Sequence, residues 1–321
     1  MSKFTFLEEE QIVGAKAIDI IKKRGKQAAI TDFSILLGGS VFNSYHIDSD
    51  DSLEGRIGYY WTKTDDGDDG ARIVYKDVSS TYKNVILRNY SARPALSFAA
   101  IKTILVNAES RKIAKDGVLE VEYGYYPQKA TSKNMQEELE KLYKRGKLLK
   151  TKSKYTTDSV RNSQNTKQFK PKVHNEYEYN GKKYVRIEVY LNSDSNGIIL
   201  SNGENYKNGE HVWVEVEPVK WLVDESAKLM ITDKLIFAGI QFNHVRSYTK
   251  ENFESTDIKK FMDEYFSKEL EQNITRTEEK QVDEKRLPKG KGPEKKSRLQ
   301  KLNPDKTAPS QRSKMTDLQY G

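Results

Sequence analysis

The sequence predicts an α+β protein that ends in a basic, disordered tail. Three observations lead there. Glu176–Tyr179, Tyr184–Tyr190 and Trp213–Glu217 alternate like sheet strands, and Asn180-Gly181 between the first two is a hairpin turn. Ile258, Phe261, Met262, Tyr265 and Phe266 fall on one helical face. From Lys289 to Gln311 the chain is rich in Lys, Pro, Gly and Ser, a composition that cannot bury a core.

The elements follow in order. Leu7 to Arg24 reads as a helix, because Val13, Ala17, Ile20 and Ile21 share a face and Gly25 is a natural stop. Phe33 to Leu37 reads as a short apolar strand ending at Gly38-Gly39, and Ser40 to Leu53 as a polar loop. Strands are expected at Ile57–Thr64, Ala71–Tyr75, Asn84–Arg88 and Ala95–Phe98, with a turn-rich run of Asp and Gly after the first. Ala99 to Lys115 reads as helical and leads into a strand at Val118–Tyr123. Met135 to Arg145 is a charged helix, and Lys147 to Lys172 a long polar surface loop. Trp221–Val223 and Leu229–Ile231 are buried strands. Trp213 and Trp221 are expected in the core, whereas Trp61, at a loop-to-strand junction, fits either core or ligand contact.

Composition narrows the chemistry. The 321 residues contain no cysteine, which excludes disulfides, thiolate nucleophiles and cysteine-ligated metals. The net charge is +8, but 13 Lys+Arg against 7 Asp+Glu from Arg276 onward place +6 in the tail. The body carries +2, which argues against a nucleic-acid-binding fold with a basic face, so nucleic acid is expected only weakly and through the tail. The N-terminus lacks the basic and apolar pattern of a secretory signal, and no window approaches the roughly 18 apolar residues of a membrane span. A soluble, cytoplasmic protein is expected, with a virion-associated one as the alternative.

No catalytic constellation is legible. Asp65, Asp66, Asp68 and Asp69 invite a calcium reading, but the twelfth position of such a loop is Lys76, where an EF-hand needs a bidentate Glu. His46, His174, His211 and His244 show no zinc spacing. No metal, no cofactor and no enzymatic activity are expected. The polar positions between Tyr59 and Ser91 are instead Tyr, Asp, Ser and Asn, the residue types of adaptable recognition surfaces.

A set of motifs widens this reading. The chain carries Gly124-Tyr125-Tyr126-Pro127-Gln128, then Tyr177-Glu178-Tyr179-Asn180-Gly181-Lys182-Lys183-Tyr184-Val185 and Trp213-Val214-Glu215-Val216-Glu217-Pro218-Val219-Lys220-Trp221. It also carries Trp61-Thr62-Lys63-Thr64 and Arg93-Pro94-Ala95-Leu96. Together these resemble a family of uncharacterised bacterial and phage domains with a C-type-lectin-like fold, of the formylglycine-generating-enzyme-like kind. The order departs from that family, since the closing half (30–98) precedes the opening half (118–268). The resemblance therefore implies a circularly permuted domain over 30–270, after an N-terminal helix (1–29) and before the tail (271–321). In such a domain the strand near 94–98 should pair antiparallel with that near 118–123. Two separate small domains remain the alternative. The copper chemistry of the oxidases of this fold needs paired cysteines, and the calcium of its lectins needs a triplet that Glu217-Pro218-Val219 does not supply.

The resemblance extends to the variable proteins of diversity-generating retroelements, whose recognition residues lie near the closing strands. Carried onto this chain, the ligand-binding residues are Tyr59, Tyr60, Asp65, Asp66, Asp68, Asp69, Asp77, Ser79, Ser80, Tyr82, Asn84, Asn89, Tyr90 and Ser91. The ligand would be a protein or another macromolecule. Strand parity places Val85 and Leu87 inward and Tyr82, Asn84, Arg88 and Tyr90 outward, and it leaves Tyr75 out because Tyr75 shares parity with Ile73. Arg93 is expected to be a structural hydrogen-bond donor. A second class of function stays open, a phage virion or other assembly protein on the same fold.

Overall fold

A computed structural model describes residues 4–41, 56–67, 70–75, 80–97, 110–160, 166–191 and 196–270. The chain opens with β1 (Phe4–Thr5), a 3-10 turn (Glu9–Gln11) and α1 (Asp19–Arg24). The single helix expected over Leu7–Arg24 is broken, and Gly14 at φ +92° is where the backbone leaves helical geometry. The apolar face survives the break, with Ala17, Ile20 and Ile21 buried.

The strand expected at Phe33–Leu37 is instead α2 (Asp32–Leu36). Thr31 caps it, its Oγ1 accepting from the Ser34 amide at 3.2 Å. Asp32 stands in the first turn, and its carboxylate accepts from the Ala130 amide (2.8 Å) and the Ser201 amide (3.1 Å). All five helical residues are buried, so no periodicity distinguished this helix from a buried strand.

Three strands then form a small separate sheet: β2 (Tyr60–Asp65), β3 (Gly70–Val74) and β4 (Ser80–Asn84), paired antiparallel in that order. β5 (Ala95–Ser97) returns to the main sheet. Phe98, the last residue of the expected strand, and residues 99–109 of the helix expected over 99–115 lie outside the described residues, and the rest of that helix contains β6 (Ser110–Ile113). β7 (Leu119–Ala130) follows, then α3 (Lys133–Lys144). Gly124, at φ +71°, lies where the ladder of β7 with its neighbouring strand slips register, and a Cβ there would collide with the Leu270 side chain.

The expected loop at Lys147–Lys172 contains a strand, β8 (Leu149–Asp158), paired with β9 (Pro171–Tyr179). β9 and β10 (Lys182–Glu188) form the predicted hairpin, with Asn180 at φ 50° and Gly181 at φ 75° in its turn. A short ribbon, β11 (Ile198–Ile199) with β12 (Asn205–Tyr206), precedes β13 (His211–Asp224). The two strands expected around Trp213 and Trp221 are this one strand of 14 residues. Pro218 is tolerated inside it because the ladder with β7 slips register between Pro218 and Lys220. β14 (Leu229–Thr232), a 3-10 stretch (Lys250–Ser255) and α4 (Asp257–Phe261) complete the order, and α4 runs on as a π-turn over Met262–Phe266.

The main sheet runs β1-β5-β14-β13-β10-β9-β8, with β7 on the other edge of β13 and β6 beyond it. β5 therefore pairs with β14 and β1, and not with β7 as the sequence predicts. The two strands share a sheet but are separated by β14 and β13. Trp61 and Trp221 are buried in the main core, and Trp213 in a smaller cluster with Leu139, Tyr177 and Tyr184 under α3. No described helix is long and apolar enough to cross a membrane.

Candidate functional site

The residues expected to bind do not stay together. Asp68, Asp69, Asp77 and Ser79 lie outside the described residues, and Ser80 and Tyr82 are placed on β4. Tyr60, Tyr90 and Ser91 are core and must be removed from the surface, with exposures of 2%, 6% and 0%. The Tyr60 hydroxyl donates to the Lys26 carbonyl at 2.6 Å, and the Arg93 guanidinium lies over its ring at 5.6 Å. Tyr90 packs edge-on against Trp61 with ring centroids 5.0 Å apart. Ser91 Oγ sits 3.0 Å from Ser34 Oγ.

The parity argument fails because β4 stops at Asn84. Asn84 Oδ1 accepts from the Ile86 amide at 3.1 Å, which turns the chain instead of extending the strand. Val85 and Ile86 are then both buried, and so is Arg88, which had been expected to face outward. Arg88 Nε donates to Asp158 at 3.1 Å, in a pair whose side chains are 2% and 1% exposed. Burial raises the Asp158 carboxyl although the Val160 and Lys170 amides and Arg88 oppose it. Arg93 does act as a structural donor, from Nε to the Thr232 carbonyl at 3.0 Å.

Asp65 and Asp66 are committed to the fold. Asp65 accepts from the Lys250 amide at 3.0 Å, at the start of the 3-10 stretch. Asp66 pairs with Arg72, which also approaches Glu9 at 3.8 Å. These bonds tie the β2–β3 hairpin to both the N-terminal turn and residues 250–255.

A half-exposed aromatic pair remains. Tyr59 and Tyr75 stack with centroids 4.7 Å apart and planes 8° from parallel. The Tyr59 backbone is held from both sides, its amide donating to the Ser40 carbonyl (3.3 Å) and its carbonyl accepting from the Ser91 amide (2.9 Å). Asn89 belongs to the same patch, since its Nδ2 donates to Ser40 Oγ at 3.1 Å and its backbone carbonyl accepts from the Ser40 amide at 2.8 Å. Partial burial, and then Tyr75 beside it, push the Tyr59 hydroxyl up to about 12, so Tyr59 is neutral at ordinary pH. The sequence reading omits Tyr75. Its backbone lies one residue past the end of β3, where strand parity no longer governs the side chain.

Other polar clusters lie outside this patch. His244 Nδ1 lies 2.9 Å from buried Asp257, which also accepts from Gln241 Nε2 at 2.6 Å. His174 Nε2 lies 2.8 Å from Thr157 Oγ1. A cavity of about 10 Å³ beside Arg88 and Asp158, lined also by Leu37, Tyr190 and Gly239, has room for a single water. Among the described residues no group of three or more His, Asp or Glu could hold a metal ion. Comparison of the chain with family profiles, with curated proteins and with solved structures finds no match in any of the three.

Proposed function

We propose that this chain is a non-catalytic recognition module that presents the Tyr59–Tyr75 pair, with Asn89 and the flanking loops, to a macromolecular ligand. The observation that carries the reading is the stacked pair itself. Two tyrosines offer large contact area, and stacking together with a backbone pinned at Ser40 and Ser91 removes most of their freedom before any ligand arrives.

The C-type-lectin-like, circularly permuted fold belongs to the same proposal. Its support is that β5, which follows Arg93-Pro94 and begins with Ala95-Leu96, enters the sheet that also holds β7 with its Tyr126-Pro127-Gln128. The missing β5–β7 contact counts against it. Diversification of residues 55–98 is the narrower form, and it would have to spare Tyr60, Tyr90 and Ser91, because each is buried.

Panning a displayed library of peptides and small domains on the immobilised protein tests the module. Binders lost on both Tyr59→Ala and Tyr75→Ala, with melting curves near wild type, are the expected result. A set of binders indifferent to both variants places recognition elsewhere. A near-copy of the DNA for residues 55–98 beside a reverse transcriptase, differing at adenines, is the result expected from the narrower form.

A further inference from the structure

Charge is not evenly spread over the body of the chain. Lys141 to Lys154 holds seven Lys+Arg and no Asp or Glu, so the rest of residues 1–275 carries −5. The run covers the last turn of α3, the turn at Gly146 and the first half of β8. Lys141, Lys144, Arg145, Lys147, Lys150 and Lys152 are all exposed. Among the described residues, only Lys144 of these has a carboxylate within ion-pair distance, Glu140 at 3.5 Å.

We propose that this ridge binds the phosphate backbone of a single-stranded nucleic acid. Two blander accounts cover parts of it. Cations at the end of α3 complement the helix dipole, but that effect fades within the last turn and does not reach Lys147, Lys150 or Lys152. Lysines on a strand that pairs on one side, as β8 does among the described strands, deter aggregation. That role needs one or two charges and does not explain the absence of partners. On the same sheet Lys172, Lys182 and Arg186 are each paired, with Glu188, Glu215 and Glu140.

The layout favours a polymer. Lys150 pairs across the ladder with Tyr177, whose side chain packs under α3, so Lys150 shares the face on which the helix lies. Past the register slip after Lys150, Lys152 pairs with Glu176 and faces away from the helix, so the helix-side ridge is Lys141, Lys144, Arg145, Lys147 and Lys150, which the last helical turn of about 5 Å and the turn into β8 spread over several phosphates. A compact headgroup would need them converged. Tyr143, 38% exposed among the cations, is braced edge-on by Trp213 and Tyr177 at 5.7 Å each, and the Arg186 guanidinium lies 4.7 Å over its ring, so only the ring surface that Arg186 leaves uncovered is offered to a base.

The test uses the full chain and a fluorescent oligothymidylate of roughly 16 nucleotides, the upper end of a single-strand site. Anisotropy is titrated between about 50 and 200 mM salt. Changing Lys141, Arg145, Lys147 and Lys150 together to Gln should weaken binding at least about tenfold and flatten the log–log salt slope by about 3, at roughly 0.7 per lost phosphate contact. Changing Lys289, Lys291, Lys295 and Lys296 of the tail to Gln should leave most of the slope in place. A slope that follows the tail variant, or no binding by the wild type at the lowest salt, overturns the proposal. So does tighter binding to the matching duplex, or to vesicles containing phosphatidylserine, than to the single strand. Melting curves of both variants must match the wild type, and a ridge variant that melts early is replaced by Lys147→Gln with Lys150→Gln, for which the slope should change by about 1.4.

Discussion

Tyr59 and Tyr60 are adjacent in sequence and opposite in fate. Tyr60 turns into the core to meet Arg93, while Tyr59 stays half-exposed against Tyr75. Tyr90, read as a surface residue, is braced on Trp61. Tyr90→Ala should therefore cost about 3 kcal/mol, the scale of emptying a buried aromatic site, and Tyr59→Ala less than about 1 kcal/mol. Urea midpoints of the two variants check this, and equal losses would mean that Tyr59 is also core. Arg88 permits a second prediction. Arg88→Met leaves Asp158 charged, buried and without its cation, and should cost about 3 to 5 kcal/mol. Adding Asp158→Asn, which removes the charge and keeps an acceptor for the Val160 and Lys170 amides, should recover much of that loss, and a double variant as unstable as the sum of the two singles would show that the pair is not coupled. Arg93 was legible in the sequence because an arginine fixed between two strands has to donate to something. The parity of residues 84–90 was not, since one side-chain hydrogen bond from Asn84 ends the strand and resets every later direction.

Helices and strands with conventional patterns were legible: α3, the β9–β10 hairpin, β14 and the apolar face of α4. β8 was hidden because its buried half is Lys154, Tyr155, Thr156, Thr157 and Asp158, almost entirely polar. That polar interior meets the helical residues after the π-turn. Glu269 Oε1 accepts from the Thr156 amide at 2.8 Å, while its Oε2 and the Tyr126 hydroxyl, buried beside each other, have no well-formed hydrogen bond among the described residues. Burial pushes the Glu269 carboxyl up to about 8 from an ordinary value of 4.5, and burial pushes nearby Lys154 down to about 7 from 10.5. The signs are opposite. Glu269 favours the folded state fully below about pH 4.5 and loses that contribution as pH rises to about 8, whereas Lys154 favours it above about 10.5 and loses that contribution as pH falls to about 7. Glu269→Gln keeps a neutral acceptor for Thr156. Its melting temperature should exceed that of the wild type at pH 8 and approach it at pH 5. Parallel melting curves at both values would mean that Glu269 ionises in the folded protein much as it does in the unfolded chain.

Whether residues 4–97 and 110–270 are two domains or one is decided by the bonds between them. β5 lies between β1 and β14, and the Ala92 amide donates to the Phe237 carbonyl at 2.8 Å while the Ile236 amide returns to Ala92 at 3.0 Å. Thr31 Oγ1 donates to the Leu235 carbonyl at 3.0 Å, and the Phe4 ring meets Phe266 at 5.2 Å. The edge of β14 and the rings around Trp221 are thus covered by the first segment. Without it, β14 would present unpaired amides and carbonyls, and Phe266 and Trp221 would lose a wall of their core. Each segment should therefore fail to fold alone. Cutting the chain within 98–109, residues outside the described structure, should give two fragments that each lack a cooperative melt. Expressed together, they should copurify and melt in one transition, because the sheet ladder and the core contacts do not need that connection. A cooperative melt from either fragment alone would instead show two domains, with the β5–β14 ladder as an interface between them.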